Sequence, residues 1–143
     1  TIRAEDFDIY TILEGYDAVR RRIMEIEEAG LTASQKDRKL LPVLELVLEM
    51  YARGFSFYPI DIYKSDAEKF LVEGKGLRLP FCALPNIGVS AAQGIVKARE
   101  EKDFLSIEDF QIRTHLNKTG MDLLRKNQCL AGLPETTQIS LFK

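Results

Sequence analysis

The stretch Leu84-Pro85-Asn86-Ile87-Gly88-Val89-Ser90-Ala91-Ala92-Gln93-Gly94-Ile95-Val96-Lys97-Ala98-Arg99 has the residue types of a turn that holds an anion. Pro85 ends what precedes it, and Asn86 and Gly88 are types that tolerate positive φ. Asn86 stands where such hairpins usually carry a glycine, and its short amide supports left-handed geometry. A helix is expected at once afterwards, with Ser90 placed to cap its first turn and Ala91, Ala92, Ile95 and Val96 forming one apolar face. The unpaired amides of a first helical turn then face the loop, and such amides bind phosphate. The expected contacts to a DNA phosphate are Asn86, Ile87, Gly88, Val89 and Ser90, with Lys97 and Arg99 adding charge from further along the helix. A motif that only packs helices uses the same residue types.

Two further stretches carry weaker patterns. Leu116-Asn117-Lys118-Thr119-Gly120 leads into a segment bearing Met121, Leu123 and Leu124. It reads either as a second copy of the hairpin, with Asn117, Lys118 and Thr119 at the phosphate, or as an ordinary helical connection. Gln138-Ile139-Ser140-Leu141-Phe142 places a polar residue before large apolar groups split by a small spacer. Such a peptide suits insertion into a partner's pocket, where a few anchors supply most of the affinity. A last strand packed on its own domain is the other reading.

No reaction centre is assembled by the remaining residues. His115 is the only histidine and has no evident partner for a nucleophile relay. Glu27-Glu28, Glu100-Glu101 and Glu108-Asp109 are neighbours in helical contexts, so their carboxylates point apart and read as solvated faces. There is no GxxxxGK[ST] loop. Cys82 and Cys129 lie far apart without a CxxC, which suggests reduced core thiols rather than a zinc site or a disulfide. No catalytic residue and no metal ligand is expected.

The elements that must position the hairpin follow from periodicity. Residues 1 to 14 suggest a strand and a turn at Gly15. Val19, Ile23 and Ile26 recur at helical spacing from Tyr16 to Ala29, with an i,i+4 pair of Arg21 and Glu25 and a stop at Gly30. Arg20-Arg21-Arg22 reads as a solvated face or a phosphate contact. A second helix is expected from the Thr32 to Ser34 link to Arg53, with Leu40, Leu44, Val47, Leu48 and Tyr51 on one face and a kink or fresh start at Pro42. Gly54 to Tyr63 reads as extended. Ser65-Asp66-Ala67-Glu68 reads as a capping box opening a short helix to about Val72. Gly74 and Gly76 mark a turn, Leu77 to Leu79 a short strand, and Pro80 the start of the hairpin's first helix. Ser106 is expected to open another helix whose Phe110 and Ile112 make apolar contacts, and beyond Gly132 comes a proline-broken tail.

The 143 residues are 45% apolar, which excludes a wholly disordered chain. No apolar run reaches the roughly 18 residues of a membrane span, and the first residues lack a signal peptide's pattern, so a cytoplasmic setting without a membrane is expected. The formal charge is −2. Residues 1 to 53 hold 8 basic and 11 acidic side chains, hence −3, and residues 80 to 131 hold 7 and 6, hence +1. Nucleic-acid contact therefore has to come from placed groups and amides rather than a broad basic field.

Five stretches occur in one order: Arg53-Gly54-Phe55-Ser56-Phe57; Ile60-Asp61-Ile62-Tyr63-Lys64-Ser65; Leu84-Pro85-Asn86-Ile87-Gly88; Phe104-Leu105-Ser106-Ile107-Glu108-Asp109; and Leu133-Pro134 with the terminal Gln138-Ile139-Ser140-Leu141-Phe142. Together they resemble, across essentially the whole chain, the C-terminal region of bacterial replicative DNA polymerase III alpha subunits of the PolC type. The resemblance implies a mainly α fold. Residues 1–75 would be the helical end of a fingers region, 76–132 a helix-hairpin-helix domain binding duplex DNA, and 133–143 an extended clamp-binding tail. It implies that Gln138, Ile139, Ser140, Leu141 and Phe142 dock on the ring-shaped sliding clamp. The other implied partners are primer-template duplex and the rest of the polymerase. Nucleotide addition would use magnesium on palm aspartates that this segment lacks, so the segment alone should be an inactive part of a nucleotidyltransferase. The alternative is a non-catalytic helical interaction module whose hairpin only packs helices.

Overall fold

The computed structural model describes residues 7–136. The peptide Gln138–Phe142 lies outside the described residues, as do the first six positions. Helices dominate, as the mainly α expectation has it, with one three-stranded sheet between the N-terminal helices and the hairpin region.

The expected N-terminal strand is instead a short helix, α1 (Ile9–Leu13). Asp8 decides this locally: its carboxylate accepts the Thr11 hydroxyl at 2.8 Å and the Thr11 N–H at 3.4 Å, and the one-turn spacing then buries Ile9 and Ile12 together. Gly15, at φ +107°, turns the chain into α2 (Tyr16–Ala29), whose Val19, Ile23 and Ile26 are buried as their spacing requires. The expected ion pair forms one position later, from Arg22 to Glu25 at 3.5 Å, and Arg22 also reaches Asp37 at 2.8 Å.

Ser34 caps α3 (Gln35–Ala52) by accepting the Asp37 N–H at 3.0 Å. The helix runs through Pro42 with no fresh start. Pro42 and Arg38 are both exposed, so the carbonyl that lost its intrahelical donor faces water. Leu44 and Val47 of α3 are buried where α2 packs on α3. Tyr51 donates to the Ile12 carbonyl at 2.5 Å, tying α3 to α1, and its partial burial raises the phenol's pKa.

The expected helix from Ser65 to Val72 does not form. Ser65 is fully buried, its hydroxyl donating to the Leu79 carbonyl at 2.7 Å and accepting the Asp61 N–H at 2.9 Å, so it is unavailable as a helix cap. Asp66 instead closes a local turn by accepting the Glu68 and Lys69 amides, which holds its carboxyl below the usual range. This segment links β1 (Ser56–Tyr58) to β2 (Leu71–Glu73) and β3 (Gly76–Arg78) of a sheet with the order β1-β3-β2. β3 pairs antiparallel with β2, and parallel with β1 in the register Phe57 to Leu77. A Cβ on Gly76 would stand 2.8 Å from the Ser56 carbonyl oxygen and 2.6 Å from the Tyr58 ring, which explains glycine there. Residue 75, where the first two segments were expected to divide, lies in the β2–β3 turn.

Pro80 opens only a single 3-10 turn (Phe81–Ala83), shorter than the helix expected. The described chain ends in three helices: α4 (Val89–Glu101), α5 (Ile107–Thr114) and α6 (Lys118–Lys126). A single core of buried apolar residues joins α1 through α6, with Phe81 and Phe110 among its largest members.

Candidate nucleic-acid interface

The first hairpin is the turn between Phe81–Ala83 and α4. Leu84 is buried, and the Ile87 amide donates back to the Leu84 carbonyl at 3.3 Å, which closes the turn. Ile87 was expected at a phosphate, but its side chain is 4% exposed and its amide is taken, so it anchors the turn to the core. Asn86 carries φ +70°, the left-handed geometry its side chain tolerates. Gly88 does not: at φ −78°, ψ 169° it is extended and serves as the N-cap of α4.

Ser90 is likewise not the cap. It sits one residue inside the helix and is exposed. No side chain caps α4, and the helical ladder begins only with Ala92 N–H donating to Gly88 at 3.0 Å. The amides of Gly88, Val89 and Ser90 therefore have no acceptor among the described residues. All three residues are exposed, at a helix end whose dipole favours negative charge.

The two cations predicted along α4 divide. Lys97 is exposed and makes no ion pair among the described residues. Arg99 turns inward instead, donating to the Ser65 carbonyl at 2.6 Å and the Ile62 carbonyl at 3.2 Å. It joins α4 to the loop between β1 and β2, a partner some 34 positions away in sequence that local pattern does not reveal.

The second turn is built differently. α5 ends at His115, which is exposed and left-handed at φ +58°. Asn117 then caps α6, its carbonyl oxygen accepting the Gly120 N–H at 2.8 Å, so this candidate's side chain is committed within the protein. Lys118 and Thr119 are exposed. Gly120 is buried against Leu116, where a Cβ would meet Leu116 Cγ at 2.7 Å.

Arg113 is an organiser that sequence reasoning missed. It donates to the Ala98 carbonyl at 2.6 Å, to those of Lys102 and Asp103 at 2.8 and 3.0 Å, and to Asp109 at 3.3 Å, with its guanidinium 4.7 Å from the Phe104 ring centroid. The four-residue spacing to Asp109 was the available signal. Asp109 is thus no solvated carboxylate: the Leu105 amide and Arg113 hold its pKa below the ordinary value. Ile112, expected to pack, is 63% exposed. The described start of the tail is also fixed, the Pro134 and Glu135 carbonyls accepting from Ile107 and Glu108 at 2.8 and 3.1 Å, and Arg125 gripping Glu135 through two nitrogens at 2.7 and 3.0 Å.

Cys82 and Cys129 are half-buried and form no disulfide, and burial pushes the Cys129 thiol up to about 12. Among the described residues no three His, Cys, Asp or Glu side chains group to hold a metal ion, and no helix is long and apolar enough to cross a membrane.

A family model for the helix-hairpin-helix motif matches residues 54–138. The chain is 53% identical over 142 residues to the DNA polymerase III PolC-type of Halalkalibacterium halodurans. It is 48% identical to that of Bacillus subtilis over 142 residues, and 49% identical to that of Thermotoga petrophila over 143. Each similarity covers 99% of this chain and 10% of the relative, so the chain spans a tenth of the length of the curated proteins it matches. Their shared name agrees with the resemblance carried by the five stretches.

Proposed function

This chain belongs to the helix-hairpin-helix motif family, and we propose that it is the segment of a PolC-type DNA polymerase that grips primer-template duplex through backbone phosphates. One observation carries the reading: the uncapped first turn of α4, presented by the left-handed Asn86 and the side-chain-free Gly88. Phosphate oxygens would accept from the Gly88, Val89 and Ser90 amides, with Lys97 supplying net charge. Lys118 and Thr119 are the candidates for a second phosphate. Because these groups meet the backbone rather than base edges, the grip is independent of sequence. Nucleotide addition and its magnesium are proposed for other parts of the polymerase, for which this segment serves as a duplex handle.

Fluorescence anisotropy of the 143-residue chain with a mixed-sequence DNA duplex tests the grip. Affinity that falls as salt rises is expected. Absence of binding even at low ionic strength would remove the duplex reading and leave a hairpin that only packs helices, a view favoured by the burial of Ile87 and the inward turn of Arg99.

We further propose that Gln138–Phe142 docks on a sliding clamp, keeping the primer end at high effective concentration near the active site. Changing Leu141 and Phe142 to Ala is expected to abolish capture by immobilised clamp; undiminished capture would assign the contact elsewhere.

A further inference from the structure

We propose that the groove beside Pro85 is a second phosphate subsite of the duplex interface, with Lys36 as its charge; the proposal rests on the duplex-gripping reading above. The groove encloses about 390 Å³ between α1, the start of α3 and the hairpin turn. Pro85 forms one wall, and the next residue is the left-handed Asn86, so the groove continues directly from the turn that presents the α4 amides.

The wall carries Arg22 and Lys36 against Asp8 and Asp37, a formal balance of zero, and of these four Lys36 is the one without a partner among the described residues. Arg22 and Asp37 neutralise one another at 2.8 Å. Asp8 is engaged by Thr11 as the cap of α1, although its negative charge remains. Lys36 is exposed on the first turn of α3 and has no ion pair or hydrogen bond to any described residue. At the rim, Tyr10 is 41% exposed and holds the Lys126 ammonium 5.4 Å from its ring centroid, which places a second cation beside the opening. The hairpin offers neutral amides, whereas this groove offers a mobile ammonium. The two sites would hold phosphate by different means, one by placed amides and the other by charge.

The two kinds of contact leave different traces in a salt series, because only neutralisation of phosphate by a cation releases counterions. For the 143-residue chain and a mixed-sequence DNA duplex, Lys36→Ala is expected to reduce the slope of log affinity against log salt by about 0.9. Lys36→Arg should keep the parent slope. Lys39→Ala, an exposed charge on the same helix that does not line the groove, should also keep it. An unchanged slope in Lys36→Ala, or an equal reduction in Lys39→Ala, overturns the subsite while leaving the hairpin grip standing. Failure of the parent chain to bind duplex overturns both. Circular dichroism melts of each variant should match the parent, since Lys36 is solvent-facing.

Discussion

Two turns in the C-terminal half lead into helices, and they treat the first helical amides in opposite ways. Before α4 the cap is Gly88, which has no side chain to donate to, and the amides of the first turn stay open. Before α6 the cap is Asn117, whose carbonyl oxygen takes the Gly120 N–H at 2.8 Å. The two turns thus differ at one amide: the Gly120 N–H is met by the Asn117 side chain, whereas the equivalent Ala91 N–H of α4 has no side-chain acceptor among the described residues. Turn residues ahead of an apolar helix face do not distinguish the two; the presence of a side-chain oxygen at the cap does.

The strongest way to break this contrast is to finish the first joint. Gly88→Asp places a carboxylate where no heavy atom lies within 4 Å of the added Cβ and where the backbone is already extended, so the fold accommodates it. The new side chain caps α4 and repels phosphate. Duplex affinity is expected to fall about a hundredfold, or about 2.8 kcal/mol, while the melting temperature holds or rises. Titration and a thermal melt on the same sample check both halves.

Next in size is Gly120→Ala in the second turn. Its Cβ would press on Leu116, which is 6% exposed and has little room to retreat, for an expected loss of about 2 kcal/mol in denaturant unfolding. The α4 counterpart, Gly94→Ala, meets only the Thr114 carbonyl oxygen at 3.3 Å and gains helix propensity, so it should be near neutral.

Arg99 and Lys97 sharpen the comparison within α4. Arg99→Ala should cost about 1 to 1.5 kcal/mol of stability through its lost carbonyl contacts and leave the salt slope of binding unchanged. Lys97→Ala should do the reverse, lowering the slope by about 0.9 without moving the melt. The smallest effect is expected for Asn117→Gly, which reopens the α6 turn at a cost of a few tenths of a kcal/mol and should leave affinity within about twofold.

What sequence made legible was local. The boundaries of α2 came from Gly15, Gly30 and one apolar stripe, and the caps Ser34, Ser106 and the turn residue Asn86 stood where their types are favoured. What it hid depended on distant partners. Ser65 looks like a helix cap until Leu79, fourteen residues on, takes its hydroxyl. Arg99 looks like a phosphate ligand until the Ile62 to Ser65 backbone arrives. In α1, five residues are too few for periodicity to separate a helical turn from a strand, and the Asp8 cap settles the matter. At the candidate site itself, the amide-bearing turn was readable from residue types, whereas the misassigned cap at Ser90 shows that the position of the helix start, to within two residues, decides which amides are exposed.

The docking of Pro134 and Glu135 on the start of α5 sets a limit on distance. With that point held by two backbone bonds and by Arg125, Phe142 can lie no further than about 25 Å away even if every intervening residue is fully extended. Any body captured by residues 138–142 must therefore sit close beside the α5–α6 corner. Docking of residues 138–142 on a clamp, as proposed, would make this segment a short leash with the clamp held beside that corner.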